Sequence, residues 1–130
     1  SRGWGRIVNV VSSGVMQPIP NLGISNALRL AVVGWSKTLA GEVAADNVTV
    51  NCLAPGRIHT DRVDELDAKA AERTGKKIDE VRTASRATIP TGRYGRVEEF
   101  ASYAAFLCSD QASYITGSVH RADGGMIKGL

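Results

Sequence analysis

The fold class follows from residues 7–14, which read Ile7-Val8-Asn9-Val10-Val11-Ser12-Ser13-Gly14. Four of the first five residues are β-branched, and such a short apolar run favours a strand that is buried on both faces. The two serines and the glycine then end the strand in a turn. We therefore predict a buried strand over residues 7–11.

A long amphipathic helix is predicted next, from about residue 21 to residue 45. Its apolar residues recur every three or four positions, as on one face of an α-helix; they are Ile24, Leu28, Val32, Trp35, Leu39 and Val43. Asn47 ends the helix, and the apolar residues 48–53 predict a second strand that Pro55-Gly56 terminates. A strand, a long helix and a strand form a βαβ unit, which implies parallel pairing with a right-handed crossover.

The rest of the chain continues this alternation. Helical patterns cover residues 61–73, 78–87 and 97–108, and a short strand covers residues 118–122. Strands that alternate with helices are typical of an α/β fold with a doubly wound parallel sheet. Ligands of such sheets lie at the carboxyl ends of the strands, so we expect function at Ser12-Ser13 and at residues 54–56.

Composition points to a globular protein. The 130 residues suffice for about one domain, and 43% of them are hydrophobic and 22% charged. No apolar run approaches the roughly 18 residues that a membrane span needs, and no signal peptide is recognised. Because the chain does not begin with Met, we expect it to be part of a longer protein.

Charge and cysteine content exclude several kinds of site. Ten basic residues between Arg57 and Arg96 are interleaved with seven acidic ones, which favours solvated helix faces over a nucleic-acid interface; steering of an anionic substrate is the alternative. The only cysteines, Cys52 and Cys108, are too far apart in sequence to predict a disulfide framework or a metal site. We expect both thiols to be buried and reduced, in a cytoplasmic protein.

Four segments, in order and at matching spacing, resemble the short-chain dehydrogenase/reductase family. They are residues 5–13 (GRIVNVVSS), 48–60 (VTVNCLAPGRIHT), 92–99 (GRYGRVEE), and 114–117 (YITG) with 123–125 (DGG). Val97 stands where the family usually has Pro. The resemblance implies that the chain is the C-terminal part of a single Rossmann-type domain. Because no G-x-G-x-x-G occurs, we expect the cofactor-phosphate half to lie upstream.

By this resemblance, Ser12 is the catalytic serine, which hydrogen-bonds the substrate carbonyl oxygen and polarises it. A turn serine that satisfies nearby backbone is the alternative. The family's catalytic Tyr, and the Lys four residues after it, match Ser25 and Arg29 instead. A serine hydroxyl is shorter and less acidic than a phenol, so Ser25 cannot replace it. Arg29 lies on the matching helix face and can bind the ribose, but it cannot relay protons. The alternative is that Ser25 and Arg29 merely face solvent.

The segment after the second strand matches the family's cofactor-contacting turn. Ile58 and Thr60 correspond to positions that contact the nicotinamide carboxamide and the pyrophosphate, and Pro55-Gly56 permits a close backbone approach. His59 lies beside them as an alternative general acid, or else as an exposed loop histidine. Residues 57–90 follow this turn and are predicted to form a substrate lid.

Three functions remain open from the sequence. The first is an NAD- or NADP-dependent oxidoreductase, closest in pattern to the 3-oxoacyl carrier-protein reductases, that transfers hydride between nicotinamide and a small carbonyl or alcohol substrate. The second is an inactive dinucleotide-binding protein, and the third is a structural subunit. By the resemblance, a homo-oligomer would form through the helix at residues 21–45 and the C-terminal strand. Neither a nucleic acid nor a membrane is an expected partner, and no metal site is expected.

Overall fold

The architecture is a three-stranded parallel sheet with helices on both faces. The computed structural model describes residues 3–129. The strands are β1 (Gly5–Val10), β2 (Val48–Pro55) and β3 (Val119–Ala122), and they lie in the order β1-β2-β3. Gly5 pairs with Val48, and Leu53 pairs with both Val10 and His120. The predicted α/β class and parallel sheet are confirmed.

The crossover from β1 to β2 is the predicted long helix. This helix, α1, spans Gly23–Val43 and continues as a 3-10 turn, Ala44–Asp46. Asn47 ends it in the left-handed conformation, with φ of 59°. Asparagine tolerates that conformation better than most residues, which explains why the helix stops there.

The apolar face that identified α1 is not the face that contacts the sheet. Ile24, Leu28 and Trp35 are 81%, 64% and 56% exposed. The side towards the sheet carries smaller residues, among which Ser36 and Ala40 are buried. Since α1 is apolar or small around much of its circumference, periodicity identified the helix but could not identify its packed face.

The core lies mainly between α1 and β2. Val11, Cys52 and Ala54 form its centre, and the half-buried Val15, Val33 and Val119 pack against them. Asn9 donates a hydrogen bond of 2.9 Å from its Nδ2 to the buried Ser36 hydroxyl, so the one polar side chain of the β1 apolar run is satisfied against α1.

Three further helices follow β2. They are α2 (Asp61–Thr74), α3 (Ile78–Ala87) and α4 (Val97–Leu107), which confirms the predicted helical segments to within a residue. Leu107 is fully buried, whereas Cys108 is exposed, so the prediction of a buried Cys108 is wrong. Cys108 caps the end of α4, about 100° around the helix from Leu107, and therefore points away from the core.

The outer edge of β1 has no partner strand within residues 3–129. Ile7 and Val10 on this strand are 37% and 55% exposed and no residue of β1 is fully buried, so the prediction of a buried strand is wrong for residues 7–10. The edge is both unpaired and apolar. No helix in the described part of the chain combines the length and the hydropathy that crossing a membrane requires.

Candidate active site

Ser12 lies directly after β1, at the carboxyl edge of the sheet. Its extended backbone, with φ of −161° and ψ of 153°, makes it the N-cap of a 3-10 turn, Ser13–Val15. The Ser12 Oγ accepts a hydrogen bond of 3.1 Å from the Gly14 amide. This contact is the one expected of a turn serine. It uses the oxygen as an acceptor and leaves the hydroxyl proton free to be donated to a ligand.

Ser25 and Arg29 lie one turn apart on α1 and face the same edge. The Arg29 Nη1 donates to the carbonyl oxygens of Val11 and Val10, at 2.9 and 3.4 Å. The Arg29 Nε donates to Ser25 Oγ at 3.4 Å. Since Val11 immediately precedes Ser12, the structure brings the three predicted residues together where β1 ends.

An open cavity of about 630 Å³ lies beside this group, at the beginning of α1. Ser25, Leu28 and Arg29 line it, together with Leu22 and Ile24. Its walls are mostly apolar, and the guanidinium supplies a cationic group at one side. All of its lining residues belong to the one segment 21–29, so it is an open depression at the start of α1.

The turn after β2 is held by pairing with other loops. Gly56 donates its amide to the Ala122 carbonyl at 2.9 Å, and a Cβ on Gly56 would lie 2.7 Å from the Asp123 Cα. The close approach that requires glycine here is therefore made by the 123–125 turn of the same chain. Pro55, which precedes it, is the last residue of β2 and is half-buried.

Ile58 and Thr60 continue from this turn into α2. Ile58 forms an isolated parallel bridge with Gly95, through hydrogen bonds from His59 N to Gly95 O and from Gly95 N to Arg57 O, both 2.8 Å. Within residues 3–129 the Ile58 amide itself has no hydrogen-bond acceptor. Thr60 is the N-cap of α2, and its hydroxyl contacts the Ile58 carbonyl at 3.5 Å. Both residues thus remain available to a ligand.

Two polar residues near the site were not singled out from the sequence. Asn26 donates to the Ile19 carbonyl at 3.0 Å and accepts from the Ile19 amide at 3.4 Å, which fixes the loop between Ser12 and α1. Asp67 on α2 is 1% exposed. It accepts hydrogen bonds from Arg57 at 3.1 Å and from the Tyr94 hydroxyl at 2.8 Å. Neither residue type stands out among the polar residues around it.

A second polar group lies away from the carboxyl edge. The buried Asn51 has its Oδ1 3.3 Å from His120 Nε2, and the Tyr103 hydroxyl is 2.9 Å from His120 Nδ1. Asn51 Oδ1 is an acceptor, so the proton is on Nε2 and Tyr103 donates to Nδ1. Burial lowers the pKa of His120, which favours this neutral form. The group links β2, β3 and α4, and it stabilises the packing of α4.

Metal-ligand geometry is not found in the part of the chain that the structure describes: no three His, Cys, Asp or Glu side chains there are grouped to hold an ion. Within the described residues, the polar groups of the candidate site are therefore side-chain hydroxyls, the Arg29 guanidinium and backbone amides and carbonyls.

Comparison with known proteins agrees with this architecture. The model of a family described as enoyl-(acyl carrier protein) reductase matches residues 1–127. The NADPH-dependent reductase BacG of Bacillus subtilis is 36% identical over 127 residues, which are 98% of this chain and 49% of BacG. The 3-oxoacyl-[acyl-carrier-protein] reductase FabG of Vibrio cholerae is 44% identical over 124 residues, which are 94% of this chain and 46% of FabG.

Solved structures agree as well. YwfH, an NADPH-dependent reductase involved in bacilysin biosynthesis, superposes with a TM-score of 0.92 at 37% identity, over 98% of this chain and 49% of YwfH. An actinorhodin polyketide ketoreductase solved with NADPH gives a TM-score of 0.91 at 30% identity, over 96% of this chain and 48% of the ketoreductase. The chain spans about half the length of the curated relatives it matches. Its sheet, its motifs and these similarities show that it belongs to the short-chain dehydrogenase/reductase family.

Proposed function

We propose that this chain is the C-terminal part of a Rossmann-type domain that binds NAD or NADP and transfers hydride between nicotinamide and a small carbonyl or alcohol substrate. The observation that carries the proposal is the convergence of Ser12, Ser25 and Arg29 at the carboxyl end of β1, beside an open cavity. Relatives named as NADPH-dependent reductases favour NADP over NAD. The cofactor-phosphate half of the domain lies upstream in this proposal.

The groups present fit the nicotinamide-ribose end of such a cofactor. The Ile58 amide, which has no acceptor within residues 3–129, can donate to the nicotinamide carboxamide, and Thr60 follows it with a hydroxyl. Arg29 keeps guanidinium N–H groups beyond those that Val10 and Val11 accept, and a guanidinium can donate to two ribose hydroxyls at once. Pro55 and Gly56 place this turn at the sheet edge. When bound, the cofactor supplies the hydride, and the protein supplies orientation and polarisation.

Ser12 donates a hydrogen bond to the substrate carbonyl oxygen, where negative charge develops during reduction. The proton that converts the resulting alkoxide into the alcohol comes from solvent water in this proposal. The Ser25 hydroxyl is shorter and much less acidic than a phenol, so in this proposal it does not protonate the product oxygen. It accepts a hydrogen bond of 3.4 Å from Arg29. The chemistry is therefore slower than a tyrosine would allow, or it is lost. This second possibility, a dinucleotide-binding or structural subunit without turnover, is favoured specifically by the serine at position 25.

Residues 57–90 form the substrate lid in this proposal. They comprise α2 and α3, they begin at the cofactor-contacting turn, and α3 has no buried residue. Two helices that close over a substrate site can exclude water from it when substrate binds.

Self-association through α1 completes the proposal. The exposed apolar face of α1 carries Ile24, Leu28 and Trp35, and large exposed apolar patches mark sites of contact with other proteins. A second copy of the chain is the proposed partner, so the complete protein is a homo-oligomer.

The proposal is tested by Ser12→Ala in the whole domain, with NADPH and a panel of small ketones and aldehydes. Loss of one donor to a developing oxyanion lowers kcat by roughly 10²–10³-fold. Ser12→Thr keeps the hydroxyl and serves as the matched control, because it also keeps the acceptor for Gly14. An unchanged rate in Ser12→Ala would show that Ser12 is only a turn residue.

A further inference from the structure

A buried carboxylate connects the lid helices to the cofactor-contacting turn. Asp67 on α2 is 1% exposed, and a carboxylate without partners at such a depth costs several kcal/mol. Three donors surround it. Arg57 Nη1 and the Tyr94 hydroxyl lie at 3.1 and 2.8 Å, and Arg82 Nε lies at 4.0 Å.

These donors come from three separate segments. Arg57 immediately precedes Ile58, and Tyr94 immediately precedes Gly95, so both flank the Ile58–Gly95 bridge. Arg82 belongs to α3. The one carboxylate of Asp67 therefore joins both lid helices to both sides of the bridge. Burial raises the pKa of the Tyr94 phenol, and so do the hydrogen bond and the charge of Asp67, against opposing contributions from Ser85 and Arg57.

A second carboxylate extends this network. Asp64, one turn before Asp67, accepts from Arg82 Nη2 at 2.8 Å, and its Oδ1 lies 3.5 Å from His59 Nε2. Residues 57 and 59 flank Ile58 in an extended segment, where alternate side chains point to opposite sides. Arg57 and His59 accordingly share the lid side. We call the group the lid anchor; its members are Arg57, His59, Asp64, Asp67, Arg82 and Tyr94.

We propose that Asp67 is a positioning residue of the enzyme, which holds α2 and α3 in one arrangement over Ile58 and Thr60. It does so by fixing Arg57 and Tyr94 on either side of the bridge. His59 acts in this anchor and not as a general acid. The inference rests on the proposed function in one respect, namely that the turn at residues 58–60 contacts the nicotinamide end of the cofactor.

The test is Asp67→Asn in the whole domain, compared with Glu65→Gln. Glu65 lies on the same helix and pairs with Arg62 at 3.0 Å on the surface, so its variant removes one α2 carboxylate without touching the anchor. In Asp67→Asn, amide hydrogen exchange over residues 61–87 accelerates by at least about tenfold, since the buried charge that accepts hydrogen bonds from Arg57 and Tyr94 is lost. Exchange in α1 and β2 stays as in the wild type.

Kinetics separate positioning from general stability. In Asp67→Asn the KM for the carbonyl substrate rises by about tenfold or more, and kcat falls less than KM rises. If Asp67→Asn does not fold, Tyr94→Phe is used instead, because it removes one hydrogen bond to the same carboxylate. In this variant, amide hydrogen exchange rises less, and only over residues 61–87. The proposal is overturned if exchange over residues 61–87 in the folded variants equals that of Glu65→Gln, or if exchange rises equally throughout the sheet.

Failure of the proposed function is recognised separately. In that case the wild-type domain neither binds dinucleotide nor turns over substrate, and the hydrogen-exchange comparison of Asp67→Asn with Glu65→Gln still decides whether the anchor exists.

Discussion

The double variant Ser25→Tyr and Arg29→Lys tests whether positions 25 and 29 correspond to the catalytic acid and its cationic partner. The two positions lie one turn apart on α1 and line the same open cavity, so a phenol and an ammonium at these positions share one helix face. The ammonium lowers the pKa of the phenol, which can then donate a proton to the product oxygen.

The expected gain follows from the chemistry of general acids. A positioned acid contributes about 10²–10⁴-fold, or about 2.7–5.4 kcal/mol of barrier. Ser25 faces an open depression, so a larger ring at this position meets no wall of another element there. A cost accompanies the gain, because Arg29→Lys weakens the hydrogen bonds to the Val10 and Val11 carbonyls, by about 1 kcal/mol.

The assay is NADPH-dependent reduction of a ketone panel by the whole domain, well below its melting temperature. The matched control combines Ser25→Phe with Arg29→Lys, which has the ring without the hydroxyl. If the tyrosine variant is no faster than this phenylalanine control, the assignment of Ser25 to the position of the catalytic acid is refuted.

Two further predictions concern stability and pH. Residues 1–130 expressed alone should melt broadly or associate, because β1 presents an unpaired edge with Ile7 and Val10 exposed; a sharp cooperative transition from a monomer would contradict this. Hydrogen bonds from Arg93 and from the Arg96 amide lower the pKa of Glu99 from 4.5 to about 2, so its stabilising contribution is present above pH 4.5 and is lost as pH falls towards 2. Amide exchange at residues 93–99 should rise over that interval in the wild type, whereas Glu99→Gln should show no such acid step.

Most of the fold could be predicted from the sequence because the spacing of apolar residues differs between the predicted helices and strands. Four of residues 7–11 are β-branched, residues 21–45 repeat at helical spacing, and Asn47 separates α1 from β2. These signals are local and do not depend on the rest of the chain. The packed face of α1 and the exposure of Cys108 depend on tertiary contacts, and sequence periodicity carries no information about those.

The candidate site was predictable only where a motif marks it. Ser12, Ser25 and Arg29 were assigned from the family resemblance, and in the structure Arg29 contacts both Ser25 and the Val11 carbonyl next to Ser12. Asp67 was missed because it lies in a polar helix, where one acidic residue resembles the next. Its partners Arg57 and Tyr94 are 10 and 27 residues away in sequence. Only the folded chain distinguishes a buried carboxylate from a solvated one.

The central claim is that the carboxyl edge of β1, with Arg29 beside Ser12, binds the nicotinamide end of a dinucleotide. Titration of NADPH into the whole domain, followed by NADPH fluorescence, tests it most directly when wild type is compared with Arg29→Ala. Loss of hydrogen bonds from a charged donor predicts binding weaker by about 1.5–3 kcal/mol, or roughly 10- to 150-fold. Arg62→Ala removes a surface arginine paired with Glu65 and should bind as the wild type does. Equal affinities of Arg29→Ala and wild type would contradict the assignment of Arg29, and a wild-type domain that binds no dinucleotide would contradict the whole account in favour of a structural subunit.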